Sequence, residues 1–196
     1  MRENNAVAES SFAEKINDAD LNNKPTVPAI PLSIGFVNLS GDDLSGIVSE
    51  DESLLSPLFL VSRKGVNDQI PKAEILFVYA HLNEDGTILG LPQSGIRQIV
   101  QLTDAAIVVL ASPNDASSIQ NAIALPGPKT ANIVFTINRN GNNFPRFFFE
   151  LFINMRNGNE MLSAWVKLAP QNPNGNLSNA PATILLAEGG KIAFPA

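Results

Sequence analysis

The apolar residues of this chain fall into short runs that are separated by polar stretches. Four of these runs are rich in β-branched and aromatic residues and are nearly continuous rather than alternating; they are residues 32–39, 74–80, 105–111 and 132–138. This pattern is typical of strands that are covered on both faces. Residues 56–62 form a shorter fifth candidate, and residues 182–188 form a sixth.

Helical patterns lie between these runs, over residues 95–102, 115–125, 144–156 and 160–169. They are preceded by residues suited to cap a helix N-terminus, namely Ser94, Asn114, Asn143 and Asn159, and Asn157-Gly158 is a typical helix stop. The aromatic stripe from Phe144 to Met155 indicates core packing. Strands that alternate with helices predict an α/β three-layer sandwich, in which helices flank a mostly parallel sheet.

Residues 1–29 differ from the rest of the chain, because they contain few large apolar side chains and end in a proline-rich stretch. We therefore predict a flexible N-terminal tail over residues 1–29 and one folded domain over residues 30–196. The first residues lack the apolar core of a signal peptide, and we expect a cytoplasmic protein.

The composition narrows the range of functions. A formal net charge of −6 and an isoelectric point near 4.7 disfavour a nucleic-acid partner, which clustered Lys and Arg would bind. The apolar runs are too short to cross a bilayer, so we expect no membrane partner. The chain has no cysteine and one histidine, which argues against a zinc site, and we expect no metal and no cofactor. The acidic residues 42–43 and 50–52 lack calcium-loop spacing, and we predict that they are solvated loop charges.

The single histidine, His81, directly follows the run 74–80, and Ser112 directly follows the run 105–111. If these runs are adjacent parallel strands, both residues emerge at the carboxyl edge of the sheet, where α/β proteins hold their ligands. A serine beside a histidine is a candidate nucleophile with its base. Asp115 or Asp85 would orient the imidazole, and Arg139 would line the cleft. The alternative is structural: a half-exposed histidine at a strand end, and a helix cap and turn at residues 112–115.

The segments "AEILFVYAH" and "AAIVVLAS" resemble the two catalytic strands of the CHAT-type caspase-like peptidases. "NIVFTIN", "FPRFFFELFINMRNGNEMLSAWVKLA" and "APATILLAEGG" resemble the elements that follow in that family, so that the resemblance spans about residues 72–192. It implies a caspase-like α/β fold, with His81 as the base and position 112 as the nucleophile. The main-chain amides around residues 113–115 would then be the place for an oxyanion hole.

This chain departs from the family pattern at the nucleophile itself. Serine stands at position 112, where the family has cysteine, Leu82 replaces the usual glycine, and a shift of one residue would place Pro113 at the nucleophile position. Three explanations of Ser112 remain. It is the natural residue of a degenerate, inactive domain that only binds, it replaces an original cysteine, or it is a working serine nucleophile.

We expect an inactive caspase-like domain whose cleft holds a peptide or protein segment. The alternative is a noncatalytic interaction module of flavodoxin-like topology. The sequence leaves the oligomeric state open.

Overall fold

The computed structural model describes residues 29–67, 69–91, 94–127, 130–139, 143–168 and 183–195. The predicted N-terminal tail lies outside the described residues, apart from Ala29, and so does the side chain of Asp42.

Within the described residues, six strands form one sheet in the order β2-β1-β3-β4-β5-β6. Strands β1 to β5 are mutually parallel, and β6 is antiparallel to β5. The strands are β1 (Ile30–Asn38), β2 (Phe59–Lys64), β3 (Ile75–Tyr79), β4 (Ile107–Leu110), β5 (Asn132–Thr136) and β6 (Thr183–Ala187). The central strands β3, β4 and β5 are buried along their whole length, as their nearly continuous apolar sequences predict.

Helices cover both faces of this sheet. They are α1 (Ser45–Leu55), α2 (Ile96–Thr103), α3 (Ala116–Ala124), α4 (Asn143–Arg156) and α5 (Met161–Leu168). Helices α1, α4 and α5 pack on the face that carries Phe36, Phe77 and Val109, while α2 and α3 pack on the face that carries Leu76 and Val108. The predicted three-layer α/β sandwich is therefore confirmed. None of the described helices has the length and apolar composition needed to span a bilayer.

Helix α1 is the element that the sequence pattern did not predict. Its core-facing side carries Val48 and Leu55 with Asp51 between them, and all three are buried. A carboxylate in the middle of the buried stripe interrupts the apolar periodicity by which an amphipathic helix is recognised. The prediction of solvated loop charges is accordingly wrong for residues 50–52, which lie in α1, and Asp51 is in addition buried.

Candidate functional site

Strands β3 and β4 are adjacent and parallel, with Val78 opposite Leu110. His81 and Ser112 each follow one of these strands within two residues of its end, so that both lie at the carboxyl edge of the sheet. The prediction that their two strands are neighbours is confirmed. What the two side chains do at this edge is decided by the hydrogen bonds around them.

A cavity of about 350 Å³ opens at the carboxyl ends of β3, β4 and β5. Residues from all three strand ends and from the start of α3 line it: His81, Leu82, Pro113, Asn114, Asp115, Ala116, Ile137 and Asn138. The cavity is thus on the carboxyl side of the sheet, the side on which open parallel sheets hold ligands. Its wall combines an imidazole, a carboxylate and two amides with small apolar surfaces, so it can both donate and accept hydrogen bonds.

Ser112 does not line this cavity. The residue is fully buried, and its Oγ accepts a hydrogen bond from the Ala80 N–H at 3.0 Å while its hydroxyl donates to the Ala80 carbonyl. The side chain thus joins the end of β4 to the end of β3 through main-chain groups. Its one proton is directed to a carbonyl oxygen, which is the arrangement of a structural hydroxyl.

His81 lies on the cavity wall and is half-buried. Its main-chain N–H donates to Ser40 Oγ at 3.1 Å, which connects the end of β3 to the segment after β1. Within the described part of the chain, its imidazole makes no hydrogen bond and no ion pair, to Ser112 or to any other side chain. The structure therefore brings His81 and Ser112 to one edge without joining them.

Asn114 is the residue that holds this edge together. Its Oδ1 accepts the Leu82 N–H at 2.7 Å, its Nδ2 donates to the Ser112 carbonyl at 3.0 Å, and its own N–H donates to the Thr136 carbonyl at 3.0 Å. The segments at the ends of β3, β4 and β5 are thereby tied to one buried residue, through its side chain and its main-chain N–H. The sequence suggested Asn114 as the cap of the following helix; the cap position is held by Asp115 instead, without a side-chain capping bond.

The two predicted orienting carboxylates have different surroundings. Asp115 is exposed and shares the cavity wall with His81. Asp85 lies in the exposed turn that follows β3, where its Oδ1 accepts hydrogen bonds from the Thr87 hydroxyl at 2.6 Å and the Thr87 N–H at 2.9 Å. These bonds from Thr87 lower the pKa of the Asp85 carboxyl. Asp85 therefore stabilises its turn, and Asp115 shares the cavity wall with the histidine; among the described residues, neither carboxylate forms a hydrogen bond or ion pair with the imidazole that it was predicted to orient.

Arg139 was predicted to line the cleft, and the structure places its guanidinium in a buried ion pair. Its Nη1 and Nη2 donate to the two carboxylate oxygens of Asp51 at 2.9 and 2.7 Å, and Nη1 also donates to the Ala111 carbonyl. The guanidinium carbon lies 3.9 Å from the centre of the Phe144 ring. Arg139 thus anchors the loop after β5. Asn138, the residue just before Arg139 in this loop, lines the cavity.

Tyr79 completes this buried network by donating its hydroxyl proton to Asp51 Oδ2 at 2.7 Å. Burial, followed by the neighbouring Asp51 carboxylate, raises the pKa of Tyr79 well above its ordinary value of 10.0. The network of Asp51, Arg139 and Tyr79 lies beneath the carboxyl edge and connects α1, β3 and the loop after β5. Sequence reasoning missed it, although the chain's single tyrosine at the end of an apolar strand indicates a buried hydroxyl that needs a partner.

Within the described residues, no group of three His, Asp or Glu side chains is placed to hold a metal ion. The fold and the site define an α/β sandwich with a polar cavity at the carboxyl edge of its sheet. Comparison of the chain with protein-family models, with curated proteins and with solved structures finds no match.

Proposed function

We propose that this chain is a caspase-like domain that binds a peptide or protein segment in the His81 cavity and does not cut it. The observation that carries the proposal is the placement of Ser112 and Pro113, in the segment that follows β4. Pro113 lies on the cavity wall with His81, whereas Ser112 is buried behind the wall and hydrogen-bonded to Ala80. A bound peptide would therefore contact Pro113, whose side chain has no nucleophilic atom, and would not reach the hydroxyl of Ser112.

The cavity suits a short length of peptide chain. Its volume of about 350 Å³ lies near the lower end of the range for ligand pockets, roughly 300–1,000 Å³. The imidazole of His81 and the amide of Asn138 offer donors and acceptors to peptide groups, and Leu82 and Ile137 offer apolar contacts. The carboxylate of Asp115 favours a segment that brings a hydrogen-bond donor or a positive charge to this end of the cavity.

A second candidate is a noncatalytic interaction module of flavodoxin-like topology. Its support is the strand order, because β2-β1-β3-β4-β5 is the order of flavodoxin-like sheets, to which β6 is added. Such sheets hold their ligand where the strand order reverses, between β1 and β3. The 350 Å³ cavity lies instead at the ends of β3, β4 and β5, which favours the first candidate.

A binding experiment tests the proposal directly. A random peptide library displayed on phage is selected on the protein, and the enriched peptides are measured against two variants of exposed alanines in α3. Ala116→Trp fills the cavity, whereas Ala124→Trp places the same side chain at the far end of the helix. We expect Ala116→Trp to abolish binding and Ala124→Trp to leave it unchanged. Equal binding by both variants, or a selection that enriches no peptide, would contradict the proposal.

The same peptides test whether cleavage is possible. We expect no cleavage, measured by mass spectrometry, from the protein or from Ser112→Cys, because a thiol at position 112 would lie behind the cavity wall. Cleavage by Ser112→Cys that disappears when His81→Ala is added would show instead that position 112 reaches the bound peptide. The domain would then be a peptidase that lacks only its cysteine.

A further inference from the structure

Within the part of the chain that the structure describes, strand β2 lies at one edge of the sheet and pairs with β1 alone. Its residues from Leu60 to Lys64 are all exposed, and its two apolar members, Leu60 and Val61, expose 67% and 42% of their surface. Proteins usually cover or shorten such an edge, because its free N–H and C=O groups can pair with another chain. This edge is therefore a surface on which a further strand can form.

The direction of the main-chain groups along β2 follows from the residue just after it. The Gly65 N–H donates to the Phe36 carbonyl at 2.8 Å and so points toward β1. Polar main-chain groups alternate in direction along an extended strand. Those of Leu60, Ser62 and Lys64 consequently point away from β1, which gives the edge three outward N–H groups and three outward carbonyls.

Strand β2 itself carries two cations, Arg63 and Lys64, and no carboxylate, in a chain whose net charge is −6. Arg63 is exposed and has no hydrogen bond or ion pair within the described residues, and Lys64 forms an exposed ion pair with Glu52 at 3.0 Å. Arg63 and Lys72 share a shallow cavity of about 240 Å³ beside the strand. Of the two acidic residues in that cavity, Glu74 accepts the Ser33 N–H at 2.8 Å and Asp104 is exposed.

We propose that β2 accepts an extended acidic segment of another protein as an added strand of the sheet. The outward main-chain groups supply the hydrogen bonds, Leu60 and Val61 supply apolar contact, and Arg63 and Lys64 select negative charge. A second copy of this chain is the poorer partner, because edge-to-edge pairing brings two strands together that each carry these cations. This binding uses a different surface from the His81 cavity and does not depend on the function proposed for it.

The test measures fluorescence anisotropy with two labelled octapeptides, one alternating threonine with glutamate and one alternating threonine with lysine. We expect the intact chain to bind the glutamate peptide and not the lysine peptide. The double variant Arg63→Glu/Lys64→Glu should weaken binding by roughly tenfold or more, while Arg146→Glu, which reverses an exposed cation on α4, should leave it unchanged. Ala116→Trp should also leave it unchanged, which separates this surface from the cavity.

Ser62→Pro tests whether binding is strand addition. Proline removes an outward N–H and spares the hydrogen bonds to β1, so the variant should stay folded and lose the glutamate peptide. If the Ser62→Pro variant does not fold, amide hydrogen exchange of the unmodified chain provides the test. Strand addition should protect the amides of Leu60, Ser62 and Lys64 from exchange when the glutamate peptide is added.

Three results would overturn the inference. One is no binding of the glutamate peptide, and another is binding without protection of these amides, which would be charge attraction alone. The third is a dimer that competes with the peptide and is lost in Ser62→Pro, which would make a second copy the occupant of the edge.

Discussion

Ser112 and Pro113 are neighbours in the sequence, and their side chains have opposite surroundings. One of the two is buried in the interior and the other lines the cavity. Ser112 takes the interior position, where its hydroxyl bonds to the N–H and the carbonyl of Ala80. Pro113 takes the cavity position beside His81. Two adjacent positions therefore differ in role: position 113 faces the cavity, where a nucleophile would be needed, and position 112 links the strand ends through hydrogen bonds.

We predict that Ser112→Ala destabilises the protein without altering the shape of the cavity. The substitution leaves the buried Ala80 N–H without its partner, at a cost of about 1–3 kcal/mol in the free energy of unfolding. Urea unfolding measures the change, and Ser117→Ala, at an exposed position of α3, is the control with an effect within about 0.5 kcal/mol. An unchanged free energy of unfolding in Ser112→Ala would mean that the hydroxyl does not brace the two strands.

Tyr79 gives a prediction about alkaline pH, because its pKa is raised in the folded chain. Above pH 10.0 the unfolded chain loses the phenol proton while the folded chain keeps it, so the free energy of unfolding decreases as the pH rises. The chain has one tyrosine, and its tyrosinate absorbance reports this group alone. We expect that absorbance to rise together with the loss of circular dichroism. Ionisation near pH 10.0 in a chain that remains folded would contradict the prediction.

At the scale of elements, one buried carboxylate on helix α1 joins that helix to β3 and to the loop after β5. Asp51 is fully buried, pairs with Arg139 on the loop after β5 and accepts the Tyr79 hydroxyl of β3. An ion pair of this kind contributes little net stability compared with apolar packing, but the loss of one partner leaves the other charge buried and unpaired. The network thus sets the position of α1 relative to the loop that carries Asn138.

We predict that Asp51→Asn reduces the free energy of unfolding by about 3–5 kcal/mol, because Arg139 keeps its buried charge without a counter-charge. Chemical denaturation is the measurement, and Glu50→Gln, an exposed neighbour on the same helix, should have almost no effect. Peptide binding at the cavity should weaken in Asp51→Asn, since the loop after β5 loses its anchor. A loss below about 1 kcal/mol would show that Arg139 finds another partner or water.

At the scale of the whole molecule, stability should be distributed from the centre of the sheet outward. Strands β3, β4 and β5 are buried along their length, whereas five of the six residues of β2 are exposed and all residues of β6 are partly exposed. We predict that amide hydrogen exchange is slowest in β3, β4 and β5 and fastest in β2 and β6. Mass spectrometry of proteolytic fragments measures this order. Protection of β2 equal to that of β4 in the isolated chain would mean that its edge is already covered.

The two proposed binding surfaces lie on separate parts of the same sheet. The cavity lies at the carboxyl ends of β3, β4 and β5, while the proposed strand-addition surface is the outer edge of β2. A partner bound at one surface leaves the other accessible. The variants Ala116→Trp and Ser62→Pro therefore report on independent interactions.

Much of the fold is readable in the sequence, for a physical reason. Strands buried on both faces need continuous apolar runs, as β3, β4 and β5 show, and each of the six predicted runs overlaps a strand, with ends that differ by a few residues. The rule that parallel strands bring their carboxyl ends to one edge placed His81 beside the segment after β4. Helix α1 escaped prediction because Asp51 occupies a position that an apolar residue would normally fill.

By itself, the sequence determined the alternation of strands and helices, the core and the edge at which the histidine lies, since these follow from local periodicity. Only the tertiary structure decided the roles of the side chains at that edge. Ser112 and Asn114 bind main-chain groups of the segment just after β3, and Asp51 and Arg139 meet from positions 88 residues apart. No local pattern encodes such partners, because a polar side chain is stabilised by whichever groups the folded chain brings within hydrogen-bonding distance.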